Sequence, residues 1–207
     1  MTTDVDGLLS GLDVSRETLE RLAHYEALLK QWNPKINLVS RSSMDDFWTR
    51  HMLDSLQLYR LAPKTESWLD LGSGGGFPGL VCAIMAMQHD AGTQFTLIES
   101  DQRKSVFLRT IIRELGAPAR VISKRIEAVA PVGAGVLTAR ALADLDGLLA
   151  YCDRHLSPTG VALFPKGVNW KNEVAEARKR WNFTAEALTS LTEPNAVILK
   201  IHGVARV

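Results

Sequence analysis

Cysteine is scarce. Only Cys82 and Cys152 occur in 207 residues, each isolated within a segment of helical pattern, so they read as two small core residues. That excludes a disulfide scaffold and leaves no thiol cluster for a metal; no metal site is expected. Long apolar runs are missing too. No stretch reaches the roughly 20 residues of a membrane span, and the opening Met1-Thr2-Thr3-Asp4-Val5-Asp6 has no basic segment leading into an apolar core, which points to a cytoplasmic protein with no membrane partner. Nor does one sign of charge dominate, with 24 Lys and Arg against 23 Asp and Glu. The near-neutral sum hides a gradient: residues 1–33 hold six acids and three bases, whereas residues 101–125 hold Arg103, Lys104, Arg109, Arg113, Arg120, Lys124 and Arg125 against two acids. Lys171, Arg178, Lys179 and Arg180 form a second basic group. Repeats, low-complexity segments and linkers are absent. At 46% hydrophobic and 23% charged residues, the chain can fold as one packed domain with a modest extension.

Glycine is present where it matters. The run Trp68-Leu69-Asp70-Leu71-Gly72-Ser73-Gly74-Gly75-Gly76-Phe77-Pro78-Gly79 passes from an apolar strand pattern into a glycine cluster, and Leu80 to Met85 continue as a buried helix. Strand, glycine turn and helix form the usual cradle for a cofactor at the edge of an α/β sheet. Gly74-x-Gly76-x-x-Gly79 also fits the dinucleotide fingerprint, and Glu99 lies 20 residues past Gly79, where a ribose-binding acid is sought. Asp70 favours a different ligand: a carboxylate beside the loop would repel a pyrophosphate and attract the ammonium and sulfonium charges of S-adenosylmethionine. An NAD-dependent oxidoreductase is the alternative.

Around that loop the pattern alternates. Leu22, Tyr25, Leu29 and Trp32 recur at helical spacing, with Ser15 as cap and Asn33-Pro34 as stop. Residues 35–41 read as an extended connector, and a second helix is predicted over residues 45–61, capped by Ser43 and ended before Pro63. Strands are then predicted over residues 67–71, 95–99, 119–123, 136–139 and 161–164, separated by helices from Gly79 and over 103–115 and 144–155, with a turn at Pro158-Thr159-Gly160. A helix over 170–181 follows. The last two strands, 184–191 and 196–202, are joined only by Thr192-Glu193-Pro194-Asn195, too short for a helical crossover, so they should pair antiparallel. The expected organisation is an N-terminal helical extension, residues 1–65, and a cofactor-binding unit, residues 66–207.

The Asp-Leu-Gly-x-Gly-x-Gly loop and the terminal hairpin resemble the class I S-adenosylmethionine-dependent methyltransferases: a Rossmann-like, seven-stranded, mostly parallel α/β sheet. More narrowly, Trp32-Asn33-Pro34-Lys35-Ile36-Asn37-Leu38, Arg50-His51-Met52-Leu53-Asp54-Ser55, Gly72 to Gly79, Arg125-Ile126-Glu127 and Ala139-Arg140-Ala141-Leu142-Ala143 resemble the glucose-inhibited division protein B family, RsmG. The similarity covers nearly the whole chain. It implies transfer of a methyl group from S-adenosylmethionine to N7 of a guanine in 16S rRNA, position 527 in the 530 loop. The partner would be the small ribosomal subunit or its assembly intermediate, and a monomer is expected. The resemblance also implies that Gly72 and Phe77 contact the cofactor, that Ile126 and Glu127 line its adenine end, and that Arg140 reaches the ligand; Gly74, from the glycine pattern itself, is a further cofactor-binding candidate. Glu99 suits the ribose hydroxyls, because a charged acceptor there contributes about 1.5–3 kcal/mol. A SAM-binding ribosome assembly factor without catalysis is a further alternative.

Guanine N7 carries an exposed lone pair, so its methylation needs no general base, and no residue is assigned a proton-transfer role. Arg140 and Lys166 are the positioning candidates, the lysine for a phosphate or guanine O6. Phe77 and Phe164 are candidate aromatic platforms for the base. His51 and Asp54, three apart on the second predicted helix, are expected to make a polar contact supporting the loop.

Overall fold

The computed structural model describes residues 7, 9 and 11–207; the sequence reading of residues 1–6 lies outside the described residues. The chain opens with α1 (Arg16–Ile36), whose first turn is capped by the Ser15 side chain accepting from the Thr18 amide. Asn33-Pro34 do not stop it. Pro34 sits inside the last turn, and the helix ends at Asn37 in the left-handed conformation, with Asn33 Oδ1 accepting from the Leu38 and Val39 amides. The expected connector over 35–41 is therefore shortened to residues 37–40.

The second predicted helix is broken into three pieces. Ser40, not Ser43, caps the short α2 (Arg41–Asp45); a π-helical turn spans Trp48–Leu53; and α3 (Asp54–Leu61) ends before Pro63 as predicted. Trp48, His51, Met52 and Leu53 are all buried along this wider turn.

From there strands and helices alternate: β1 (Ser67–Leu71), α4 (Gly79–His89), β2 (Gln94–Ile98), α5 (Gln102–Leu115), β3 (Ala119–Ile122), a 3-10 turn (Ile126–Ala128), β4 (Ala134–Ala139), α6 (Leu145–His155), β5 (Leu156–Lys166), α7 (Trp170–Ala177), β6 (Trp181–Thr189) and β7 (Val197–Arg206). The seven strands form one sheet in the order β3-β2-β1-β4-β5-β7-β6. The first five are mutually parallel, while β7 runs antiparallel to both β5 and β6. The C-terminal hairpin thus forms as predicted. Most boundaries shift by one to five residues, and two of the shifts change an element's character. Pro158-Thr159-Gly160 is a bulge inside β5, where Leu156 pairs with Ala134 and Val161 with Val136. Trp181 opens β6, while α7 ends at Ala177.

Alternation along each strand divides the core between two faces. Trp68, Phe95 and Leu97 join Leu22, Tyr25, Leu29 and Phe107 on one side; Leu69, Leu71, Leu137 and Ala139 join Leu145, Leu149 and Phe183 on the other. The N-terminal helices therefore share a core with the sheet. Cys82 and Cys152 are buried and unpaired, their thiols pushed up by desolvation. Among the described residues no helix is long and apolar enough to cross a membrane.

Candidate functional site

The strand order reverses at β1, whose neighbours are β2 on one side and β4 on the other, and open α/β sheets bind ligands at the carboxyl ends of strands at such a switch point. The glycine loop follows β1 there. Gly72, Gly74 and Gly76 all have positive φ, at 62°, 55° and 95°. The glycines have separate jobs. A Cβ on Gly79 would lie 2.5 Å from Asp70 Cβ and 2.6 Å from Leu97 Cδ2, and one on Gly76 would collide with the Tyr25 hydroxyl, so these two permit close packing. On Gly74 a Cβ would meet nothing nearer than the Gly72 carbonyl at 3.8 Å.

Beside that open face lies a cavity of about 230 Å³ lined by Gly72, Gly74, Glu99, Ile126, Glu127 and Leu142, among others. Five of the predicted cofactor-binding residues are thereby brought together from separate segments of the chain. Glu99, at the end of β2, accepts from the Gly74 amide with Oε2 and from the Asp101 amide with Oε1, both at 2.8 Å. Each oxygen keeps a lone pair for a further donor. Ile126 offers an apolar wall, and Glu127 accepts from the Tyr151 hydroxyl at 2.6 Å, which lowers its pKa. Lys104, Lys124 and Arg125 also line the cavity, and none forms an ion pair among the described residues.

Phe77 and Arg140 lie elsewhere. Phe77 is buried on the opposite side of the loop, stacked on Tyr25 at 5.4 Å between centroids, tilted against His51 at 4.8 Å and edge-on to Phe47 at 5.9 Å. It is not free to serve as a base platform. The Arg140 guanidinium lies 5.2 Å from the centre of the Phe77 ring and donates to the Arg50 carbonyl at 2.9 Å, Asp54 Oδ2 at 3.3 Å and His51 Nδ1 at 2.8 Å. His51 and Asp54 thus meet through Arg140 and not through a mutual contact. Burial and the Arg140 and Arg50 charges push His51 down to about 3, so it stays neutral and accepts from the arginine.

Asp70 does not face the cofactor cavity. The two-residue period turns its carboxylate inward, where it is fully buried; Oδ1 accepts from Thr138 Oγ1 at 2.7 Å, and Oδ2 makes no hydrogen bond among the described residues. Desolvation raises its pKa to about 6, against the easing effect of the nearby Ser73 and Thr138 hydroxyls, the Gly79 amide and Arg140. The sequence-level case for a sulfonium partner at this position is therefore corrected.

A second cavity, of about 380 Å³, opens past the 139–143 segment, which walls both: Leu142 faces the first, Ala141 and Ala143 the second. Arg140, Lys166, Pro165, Asp54 and Glu193 also line it. Lys166 donates to Glu173 Oε2 at 2.7 Å and to the Ala143 carbonyl at 3.1 Å, so one of its three donors remains. Phe164 is fully buried in the core and lines neither cavity, which removes it as a platform. Sequence reasoning missed the Tyr25 hydroxyl, which donates to the Gly75 carbonyl, and the fastening of the 190–192 segment to Asp54 and Gln57. The only available signal was a tyrosine in a buried helical stripe, since a buried hydroxyl needs a partner.

Sheet order, glycine loop and strand-end acid define a class I S-adenosylmethionine-dependent methyltransferase fold. Solved structures share it: a TehB-like SAM-dependent methyltransferase from Corynebacterium glutamicum has a TM-score of 0.57 at 15% identity over 87% of this chain and 98% of its own. A point mutant of MtNAS in complex with S-adenosylmethionine has a TM-score of 0.58 at 13% identity, covering 96% of this chain and 82% of its own. Residues 18–200 match the model of the GidB family, rRNA small subunit methyltransferase G, and the chain belongs to that family. The ribosomal RNA small subunit methyltransferase G of Ruegeria pomeroyi is 59% identical over 95% of this chain and 96% of its own length, and that of Cereibacter sphaeroides 53% identical over 98% of both.

Proposed function

We propose that this chain transfers the methyl group of S-adenosylmethionine to N7 of a guanine in 16S rRNA, acting as a cytoplasmic monomer on the small ribosomal subunit or its assembly intermediate. The observation that carries the reading is the pair of cavities sharing the 139–143 wall at the sheet's switch point: one suited to a nucleoside, the other lined by Arg140 and Lys166 together with Asp54 and Glu193.

The residues of the first cavity fit the cofactor. Glu99 has lone pairs left for the ribose hydroxyls, Ile126 an apolar face for adenine, and Gly74 an open side that any Cβ would fill. At about 230 Å³ the cavity falls below the roughly 300 Å³ of sites that enclose a whole drug-sized ligand, so it takes the adenosine end, with Gly72 beneath the rest. When bound, the cofactor supplies an electrophilic methyl on a sulfonium leaving group.

The chain's own contribution is position. The N7 lone pair forms the new C–N bond as the C–S bond breaks, with no proton to remove, and collinear placement supplies up to roughly 7–11 kcal/mol. Of the side chains nearest the loop, His51 is engaged by Arg140 and Glu127 by Tyr151. Arg140 and Lys166 are positioning residues for the base in the second cavity. Lys104, Lys124 and Arg125, unpaired at the rim among the described residues, suit RNA phosphates, whereas Arg103, Arg113, Lys179 and Arg180 are tied to neighbouring acids.

The test is transfer from methyl-tritiated S-adenosylmethionine to undermethylated small subunits, followed by nuclease digestion and mass spectrometry. Label in 7-methylguanosine is expected; label on another base or on ribose would end the guanine-N7 reading, and tight nicotinamide dinucleotide binding in its place would restore the oxidoreductase alternative.

A further inference from the structure

The second cavity contains a charged side chain without a partner among the described residues. The β6–β7 connection is pinned to α3: the Leu191 amide donates to Gln57 Oε1 at 2.9 Å, and Thr192 Oγ1 donates to Asp54 Oδ1 at 3.0 Å. Across its own base, the Ser190 amide donates to the Ala196 carbonyl at 3.1 Å and the Ala196 amide to the Glu193 carbonyl at 3.0 Å. The loop is thus held without help from the Glu193 carboxylate, which lines the cavity and makes no hydrogen bond or ion pair among the described residues.

Across the cavity stands a complementary group. Arg140 follows β4 and Glu193 precedes β7, two places apart in the sheet order β4-β5-β7, and both line this cavity. Three of its five N–H donors are engaged, so two remain. Ala139, Ala141, Pro165 and Val197 supply apolar walls between the two charges. The cavity therefore offers two unused donors on Arg140 and an unused pair of acceptor oxygens on Glu193.

Guanine has the matching polarity. Its N7 and O6 are acceptors on one edge, and its N1–H and 2-amino group are donors on the opposite edge. Adenine keeps the N7 acceptor but has a 6-amino donor in place of O6 and an acceptor N1 in place of N1–H. We infer that Glu193 reads the Watson–Crick edge of the target guanine, its two carboxylate oxygens accepting from N1–H and the 2-amino group, while O6 accepts from Arg140 and the N7 lone pair stays free for the methyl carbon. This specificity role rests on the guanine-N7 reading.

The experiment compares wild type, Glu193→Gln and Glu193→Ala on small subunits whose 16S rRNA carries guanosine or inosine at the modified position, with the product fixed beforehand by digest mass spectrometry. Inosine keeps N7, O6 and N1–H and lacks only the 2-amino group. Wild type should prefer guanosine by about 10-fold or more in kcat/KM, since a carboxylate hydrogen bond is lost with inosine. Glu193→Ala should lose about 10- to 100-fold on guanosine and treat the two nucleosides alike, while cofactor affinity and urea midpoint stay at wild-type values. The isosteric Glu193→Gln should show the same loss of preference. A wild type indifferent to the 2-amino group, or variants that retain its guanosine-to-inosine ratio whatever their absolute rate, would overturn the assignment. If 7-methylguanosine is made and the ratio does not move, only Glu193 falls; if another product is made, the guanine-N7 reading falls first and takes Glu193 with it.

Discussion

Gly74 separates binding from folding. Its left-handed φ is one that Asp tolerates better than most residues, and no protein atom crowds its Cβ direction, so Gly74→Asp should still fold, at a cost of about 1–2 kcal/mol. The new carboxylate would enter the cofactor cavity, and calorimetry should show S-adenosylmethionine affinity reduced at least about 100-fold; unchanged affinity would disprove the loop's role. Gly79→Ala should do the converse, because its Cβ has to displace Asp70 and Leu97. A loss of about 1–3 kcal/mol in urea unfolding is expected there. Arg140→Ala should lower both stability and turnover, since the guanidinium ties Asp54, His51 and Phe77 together. The stability part should be about 1–3 kcal/mol for a mostly buried ion pair. The glycines and Glu99 were legible as residues because spacing in one short segment encodes them. Asp70 was legible as a carboxylate but not in its direction, since period-two alternation sends it to the face opposite Leu69 and Leu71.

At the scale of elements, the sheet and its helices could be read from periodicity, and strand ends came within a few residues. What local pattern could not show was the breaking of the predicted 45–61 helix, because the π-helical turn answers to burial of Trp48, His51 and Leu53 against partners distant in sequence. The bulge at Pro158-Thr159-Gly160 reads as a turn because bulges and turns favour the same residues. The contact between α1 and the glycine loop was equally hidden, since Tyr25 and Gly75 are 50 positions apart. Tyr25→Phe should leave the Gly75 carbonyl unpaired beneath the loop. Both a destabilisation of about 1–2 kcal/mol and a several-fold weaker cofactor affinity are expected, measured by urea unfolding and calorimetry; wild-type values for both would detach α1 from the loop.

For the whole molecule, Asp70 and His51 pull acid stability in opposite directions. Asp70, raised from 3.8 to about 6, binds its proton more tightly when folded, so its contribution is full below about pH 4 and is lost as pH rises through 6. His51, lowered from 6.5 to about 3, contributes stability above pH 6.5 that is lost as pH falls toward 3. Between pH 6 and 4 the two oppose each other. Asp70→Asn removes only the first, so its unfolding free energy should fall more steeply than wild type's on acidification across that window, by up to about 1.4 kcal/mol per pH unit. Urea titrations at pH 6, 5 and 4 decide it, and parallel slopes would show that Asp70 does not titrate as buried.

The Tyr25 hydroxyl under Gly75 and the Phe77 ring between Tyr25 and His51 mean that the donor pocket is floored by chain made long before it. A fragment trimmed to begin at residue 66 would keep every strand yet lose the underside of its own ligand loop.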